Sequence, residues 1–369
     1  MKTAGIITFH ASHNYGSMLQ AYALQRALSD MGLHSEIINF RSARQKDFYR
    51  PPFQKGRIYR RLYRMLEYRK HIRALLRRGE LFEKFMSENM VLSAMEYNTL
   101  AQLEAADLKY DICISGSDQI WNINCFDYDP AYFLGFISGC RKVAYAPSMG
   151  PLPGIDEKDR AFIAASVDDY DFVSVREQQT ADIIREITGR DVRIMPDPTL
   201  LLSTETWNAM AGAEPLIKED YIFLYSPSYR PSVFRQAAML AGKSGLKVVV
   251  PIVYGKGRDG WMGDPVFCPY LEAGPSEFLN LCRHASCVVG ASFHLAVFSL
   301  LFHRPLWTES PREDARVRTL METAGIPLAE DSSGMSRVIP EGYDFVRADE
   351  CLEREREKGI VWLGEACSL

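Results

Sequence analysis

Residues Cys287-Val288-Val289-Gly290 form a short apolar run that stops at Ala291-Ser292-Phe293-His294 and restarts as LAVFSLLF (295–302). The run reads as a buried strand feeding straight into the first turn of a buried helix. His294 then stands at a helix N-terminus, where unpaired backbone N–H groups and the positive end of the macrodipole gather. Such a junction holds anions. An imidazole placed there is the chain's strongest candidate for proton transfer.

Working outward, the same strand-then-helix alternation fills the chain. AGIITF, the polar loop HASHNYGS, an apolar-periodic helix from Met18 to Met31, a stop at Gly32 and SEIINF make a βαβ unit. YDICIS, VAYA, DFVSV and VRIMP continue the strands, each closed by a polar loop. A polar stretch from Thr204 to Lys218 reads as a linker, after which YIFLY, KVVVP, CVVG and PLWTE start a second series. Alternation of this kind predicts an α/β fold with mostly parallel sheets. The expected architecture is two Rossmann-like domains facing across a cleft, 1–210 and 216–335, with a helical tail over 336–369 packing back. At 369 residues the chain is too long for one simple core.

Charge is uneven. Between Arg41 and Arg78 stand fourteen Lys/Arg against two acids, so this segment carries +12 and the rest −16. Ile58, Leu62, Met65, Leu66, Ile72, Leu75 and Leu76 recur there at helical spacing. A basic helical insertion over about 42–95 is expected. It is either a solvated stripe or a platform for an anionic or lipid-linked partner at the inner membrane surface. Nucleic acid is disfavoured, because no recognition motif accompanies the charge. No apolar run reaches the roughly 18–20 residues of a membrane span, and MKTAGIITFH enters a strand without a signal-peptide core. The eight cysteines are scattered without a CxxC pair, as in a reduced cytoplasmic protein.

Ligands of open parallel sheets bind at the carboxyl ends of strands. Those ends hold hydroxyls, amides, Arg and His, with no metal-ligand spacing, so a metal-free site for anions and sugar hydroxyls is predicted. In the first loop Asn14 and Ser17 either cap the next helix or, with Tyr15 and Gly16, hold a sugar or charged group. Ser117, Asp118 and Gln119 suit sugar hydroxyls. Arg176 is either a salt-bridge partner of Asp182 or Glu186, or a fork for carboxylate or phosphate across the cleft. Asp197-Pro198 reads as a structural turn, and the other histidines are weaker candidates than His294.

FHASHNYGSMLQAYALQRALSDMG, ISGSDQIWN, SVREQQTADIIREITG with VRIMPDPTLLL, and GASFHLAVFSLLFHRPL occur in this order. Together they resemble the polysaccharide pyruvyl transferase family over roughly residues 3 to 327. The resemblance implies two Rossmann-like domains in the GT-B arrangement. It also implies transfer of the enolpyruvyl group of phosphoenolpyruvate onto a sugar as a pyruvate ketal, with release of phosphate and no cofactor. His294 and Ser292 match the family's S-x-H stretch and Arg176 its VR(D/E) stretch, while Arg316 falls where many members have Lys. By this resemblance His294 is the acid/base, and Arg176, Arg316 and Ser292 bind phosphoenolpyruvate. The first-domain loops would present a saccharide, free or lipid-linked. Two rivals stay open: a GT-B glycosyltransferase using a nucleotide sugar, and a noncatalytic saccharide-binding protein.

Overall fold

The computed structural model describes residues 2–150, 154–255, 257–328 and 334–368. The first half runs β1 (Thr3–Ile7), α1 (Tyr15–Asp30), β2 (His34–Ile37), α2 (Ala43–Tyr49), α3 (Ile58–Glu67), α4 (Ile72–Asn89), α5 (Leu100–Ala105), β3 (Ile112–Ser115) and β4 (Arg141–Ala144), then α6 (Glu157–Asp168), β5 (Phe172–Val175), α7 (Gln178–Thr188), β6 (Arg193–Ile194) and α8 (Thr204–Ala211). The second runs β7 (Tyr221–Tyr225), α9 (Pro231–Ser244), β8 (Lys247–Val250), β9 (Phe267–Pro269), α10 (Pro275–Arg283), β10 (Cys287–Gly290), α11 (Phe293–Leu301), β11 (Leu306–Glu309), α12 (Ala315–Thr323), β12 (Met335–Ile339) and α13 (Val346–Cys367).

The strands form two six-stranded sheets, ordered β2-β1-β3-β4-β5-β6 and β12-β11-β10-β7-β8-β9. All neighbours are parallel except the β11–β12 pair. Strands such as ICIS and YIFLY are buried along their whole length, because helices cover both faces of a parallel sheet. Each sheet reverses its strand order once, between β1 and β3 and between β7 and β10. Those reversals leave crevices at the strands' carboxyl ends, where ligands of such folds sit.

Two segments differ from the sequence reading. Thr204–Ala211, expected within a linker, is a helix capped by Ser203 and anchored by the fully buried Trp207. The 336–369 stretch, expected to be helical throughout, begins with β12 at the edge of the second sheet. Only then does α13 cross back to the first half, setting Trp362 against Tyr145 at 5.8 Å while Lys2 Nζ donates to Ser368 O.

One continuous core spans both halves. Tyr15, at the start of α1, is fully buried and stacks on Phe278 of α10 with ring centroids 4.5 Å apart. Its hydroxyl donates to the Ala273 carbonyl at 3.0 Å. Trp207 bridges Tyr22 of α1 and Phe298 of α11. Each aromatic pair adds about 0.5–1.5 kcal/mol beyond its buried area. These contacts hold the halves together behind the crevices.

Candidate active site

Two helix N-termini meet between the halves. Asn14 caps α1, its side-chain oxygen accepting from Gly16 N at 3.0 Å and Ser17 N at 3.4 Å. Ser292 caps α11, accepting from Leu295 N. The capping reading of the sequence holds for Asn14, whereas Ser17 lies within α1. Between the caps lies a cavity of about 250 Å³, lined from the first half by Asn14, Ser17, Asp118, Gln119 and Asp127. The second half contributes Ser228, Arg230, Ser292, His294 and Arg316. All but Arg316, which lies in α12 after β11, follow β1, β3, β7 and β10, the strands flanking the two reversals of strand order.

His294 is the closest contact between the two caps. Its imidazole lies so near α1 that a Cβ on Gly16 would stand 2.0 Å from Nδ1 and 2.4 Å from Cγ. Only glycine lets the ring rest there. Gly290 is equally constrained, since a Cβ there would meet the Tyr225 carbonyl of the paired strand at 1.9 Å. Gly16→Ala should therefore displace the imidazole, lowering kcat at least about tenfold and costing about 1–3 kcal/mol of stability through overpacking. Steady-state kinetics beside thermal unfolding checks this; an unchanged kcat would show that the ring's position is immaterial.

On its far edge the imidazole faces a buried ionic cluster. His294 Nε2 lies 3.5 Å from Asp197 Oδ2, and Arg176 Nη1 donates to the same oxygen at 2.9 Å. The other carboxylate oxygen, Oδ1, accepts from Thr199 N at 3.0 Å and Thr199 Oγ1 at 2.7 Å. Burial alone would raise the Asp197 carboxyl, but the neighbouring imidazole, Arg176 and Thr199 outweigh it and hold it well below the usual carboxylate range. Asp197, dismissed in the sequence as a turn residue, is both that turn's cap and the anchor of the site.

The geometry corrects several expectations. Arg176 meets neither Asp182 nor Glu186; it lies 2% exposed among Asp197, Glu177 and Asp118 and packs its guanidinium over the Phe293 ring at 4.7 Å. Its Nη1 holds Asp197, its Nε and Nη2 find no hydrogen-bond partner among the described residues, and its side chain lies outside the cavity lining. Tyr15 cannot line an acceptor site because it belongs to the core between the halves. Ser117 is also fully buried, its hydroxyl bound to the Ala146 carbonyl and its N–H to Gln20. Asp118 and Gln119 do reach the cavity, and Asp118 accepts from Ser17 Oγ at 2.6 Å.

Arg316 faces the opening, as the sequence comparison implied. Asp314 grips it through Nε at 2.9 Å and Nη2 at 2.7 Å. Burial opposes its charge, yet Asp314 more than compensates and the guanidinium stays protonated. The grip leaves Nη1 for a ligand. Arg230, a residue the sequence does not single out, joins it, pairing with Glu309. Arg230, Ala291 and Arg316 also line a recess of about 470 Å³ that reaches Thr308, Ser310 and Ala315. On the opposite side Tyr49 separates the cavity from a basic recess of about 350 Å³ lined by His13, Arg41, Lys46 and Arg78.

Solved structures share this architecture. A Staphylococcus aureus MnaA structure with UDP aligns with a TM-score of 0.53 at 12% identity, covering 89% of this chain and 84% of that one. UDP-N-acetylglucosamine 2-epimerase from Rickettsia bellii aligns with a TM-score of 0.54 at 8% identity, covering 99% and 98%. The Methanocaldococcus jannaschii UDP-GlcNAc 2-epimerase in complex with UDP-GlcNAc and UDP gives 0.51 at 12% identity, covering 96% and 99%. Identity this low speaks to the fold alone, which is of the two-domain GT-B type. No curated protein matches the chain in sequence. The sequence profile of polysaccharide pyruvyl transferases, however, matches residues 14–308, from the cap of α1 through the His294 helix to β11. A match over most of the chain, through both helix caps of the cavity, establishes that this protein belongs to the polysaccharide pyruvyl transferase family and is a transferase.

Proposed function

We propose that the cavity transfers the enolpyruvyl group of phosphoenolpyruvate onto a sugar as a pyruvate ketal and releases phosphate. The observation that carries this reading is the meeting of one imidazole, backed by a buried Asp197–Arg176 pair, with two helix N-termini and the cleft arginines. Phosphoenolpyruvate has two anionic groups close together. Arg316 and Arg230 with the Ser292 cap offer donors for both.

Asp197, 3.5 Å from Nε2, favours the charged ring, and the imidazole exchanges protons with the substrate. His294 gives a proton to the vinyl carbon, which becomes a methyl, and positive charge develops on the neighbouring carbon. A sugar hydroxyl adds there and its proton returns to the imidazole. A second hydroxyl then displaces phosphate and closes the ketal, its proton leaving with the phosphate. Asp118, Gln119 and Asp127 hold the acceptor. Burial raises the Asp127 carboxyl above its ordinary value, which suits a group that takes up a hydroxyl proton. A longer saccharide extends past Tyr49 into the basic recess.

The test supplies phosphoenolpyruvate and candidate saccharides and follows phosphate release with the mass of the product. The expected result is phosphate release matched by an acceptor heavier by pyruvate less one water. Thermal protection by UDP, with turnover of a UDP-sugar and none of phosphoenolpyruvate, would replace this reading with glycosyl transfer.

A further inference from the structure

Helix α3 is built inside out. A helix on a soluble protein turns its apolar stripe inward and its charges outward. Here Ile58, Tyr59, Leu62, Tyr63, Met65 and Leu66 are 45–76% exposed, and none of the ten residues of α3 is buried. Arg60 and Arg61 are exposed beside them, and two guanidiniums also reach the preceding segment, Arg61 Nε donating to the Gln54 carbonyl at 2.8 Å and Arg64 Nη1 to the Pro52 carbonyl at 3.0 Å. From Arg57 to Arg73 seven Lys/Arg stand against Glu67 alone. Among the described residues none of these seven forms an ion pair.

The helix is nevertheless held firmly. Tyr68, directly after it, is fully buried and donates its hydroxyl to Asp259 of the second half. Phe53, Tyr68, Leu75 and Leu271 form a small core beneath. A fixed platform that presents apolar side chains ringed by unpaired cations has a chemical complement.

We propose that α3 docks the protein onto an anionic lipid surface, with its apolar stripe at the acyl boundary and its cations among the headgroups. A second copy of the chain is a poor occupant, because it would set seven cations against seven. A nucleic acid would leave the apolar stripe in water. Two tyrosines on the outward face suit the membrane–water boundary. The surface stands apart from the cavity, so this inference does not depend on the reaction proposed above.

Co-sedimentation with vesicles tests it, using the full chain. The protein should partition onto phosphatidylglycerol/phosphatidylcholine vesicles at low salt, bind weakly at high salt, and ignore pure phosphatidylcholine. Leu62→Asp/Leu66→Asp should lower partitioning about a hundredfold, roughly tenfold for each leucine withdrawn from the lipid. Both positions are exposed, so the thermal midpoint should not move. Tyr63→Trp should blue-shift its emission on anionic vesicles. The proposal is overturned if the full chain does not bind anionic vesicles at low salt. Binding unaltered in the double variant overturns it too, as does a protein that ignores vesicles and self-associates through α3.

Discussion

His294→Gln should leave the fold in place and lower kcat by about 10²–10⁴-fold, the range a positioned general acid and base contributes. Glutamine keeps most of the side-chain volume, so the packing against Gly16 survives while the exchangeable ring proton is lost. The effect should fall on kcat, with KM for phosphoenolpyruvate nearly unchanged, because Arg316, Arg230 and the Ser292 cap remain. Single-turnover phosphate release, with the thermal midpoint as the control for folding, makes the measurement. Full turnover in a folded variant would assign the proton transfers elsewhere, and Asp127 would be the next group to replace.

In the proposed reaction the cavity's electrostatics give one imidazole its weight. A purely cationic pocket would bind phosphoenolpyruvate and then hold phosphate as a product. Each arginine here has its own carboxylate: Asp197 for Arg176, Asp314 for Arg316 and Glu309 for Arg230. These pairs fix the guanidinium planes before any ligand arrives, leaving N–H groups in place and less net charge to overcome on release.

Much of this was legible in the chain. The β1–α1 and β10–α11 junctions announce themselves because an apolar run, a short polar stretch holding Asn14 or Ser292, and a second apolar run follow one another. Elsewhere the local signal is thin. MSRVI is an edge strand with only Val338 and Ile339 buried, so no alternation marks it. The α8 helix rests on Trp207 and Ala211 alone, and its polar neighbours read as a linker. Tyr15 and Ser117 look like site residues since they flank polar loops, yet chain position does not say which way a side chain points. Asp197 is the turn residue that the sequence suggests, but its link to Arg176 is not legible there. An Asp-Pro turn and a basic residue after a strand are each ordinary, and only the fold brings them together beneath His294.

That pairing yields the largest stability effect expected. Asp197→Ala should cost about 3–5 kcal/mol, because it leaves the Arg176 charge buried and strips Thr199 of its acceptor. The loss should lie near the lower figure, since Asp118 at 3.8 Å and Glu177 at 3.6 Å still offset part of the charge. Adding Arg176→Met should restore some of it, as removing the orphaned cation removes its desolvation cost. Acid supplies an independent readout. Asp197 ionises more readily folded than unfolded, so its stabilisation is complete above the unfolded value near pH 4 and fades as pH falls below it. Asp197→Asn, which keeps the shape and the Thr199 contacts, should flatten that acid limb and also lower kcat, since a neutral amide no longer favours the charged imidazole. Urea unfolding of the three variants across pH makes the comparison. A loss below about 0.5 kcal/mol for Asp197→Ala, the size typical of a surface site, would mean that Arg176 is satisfied by Asp118 and Glu177 and that Asp197 anchors nothing.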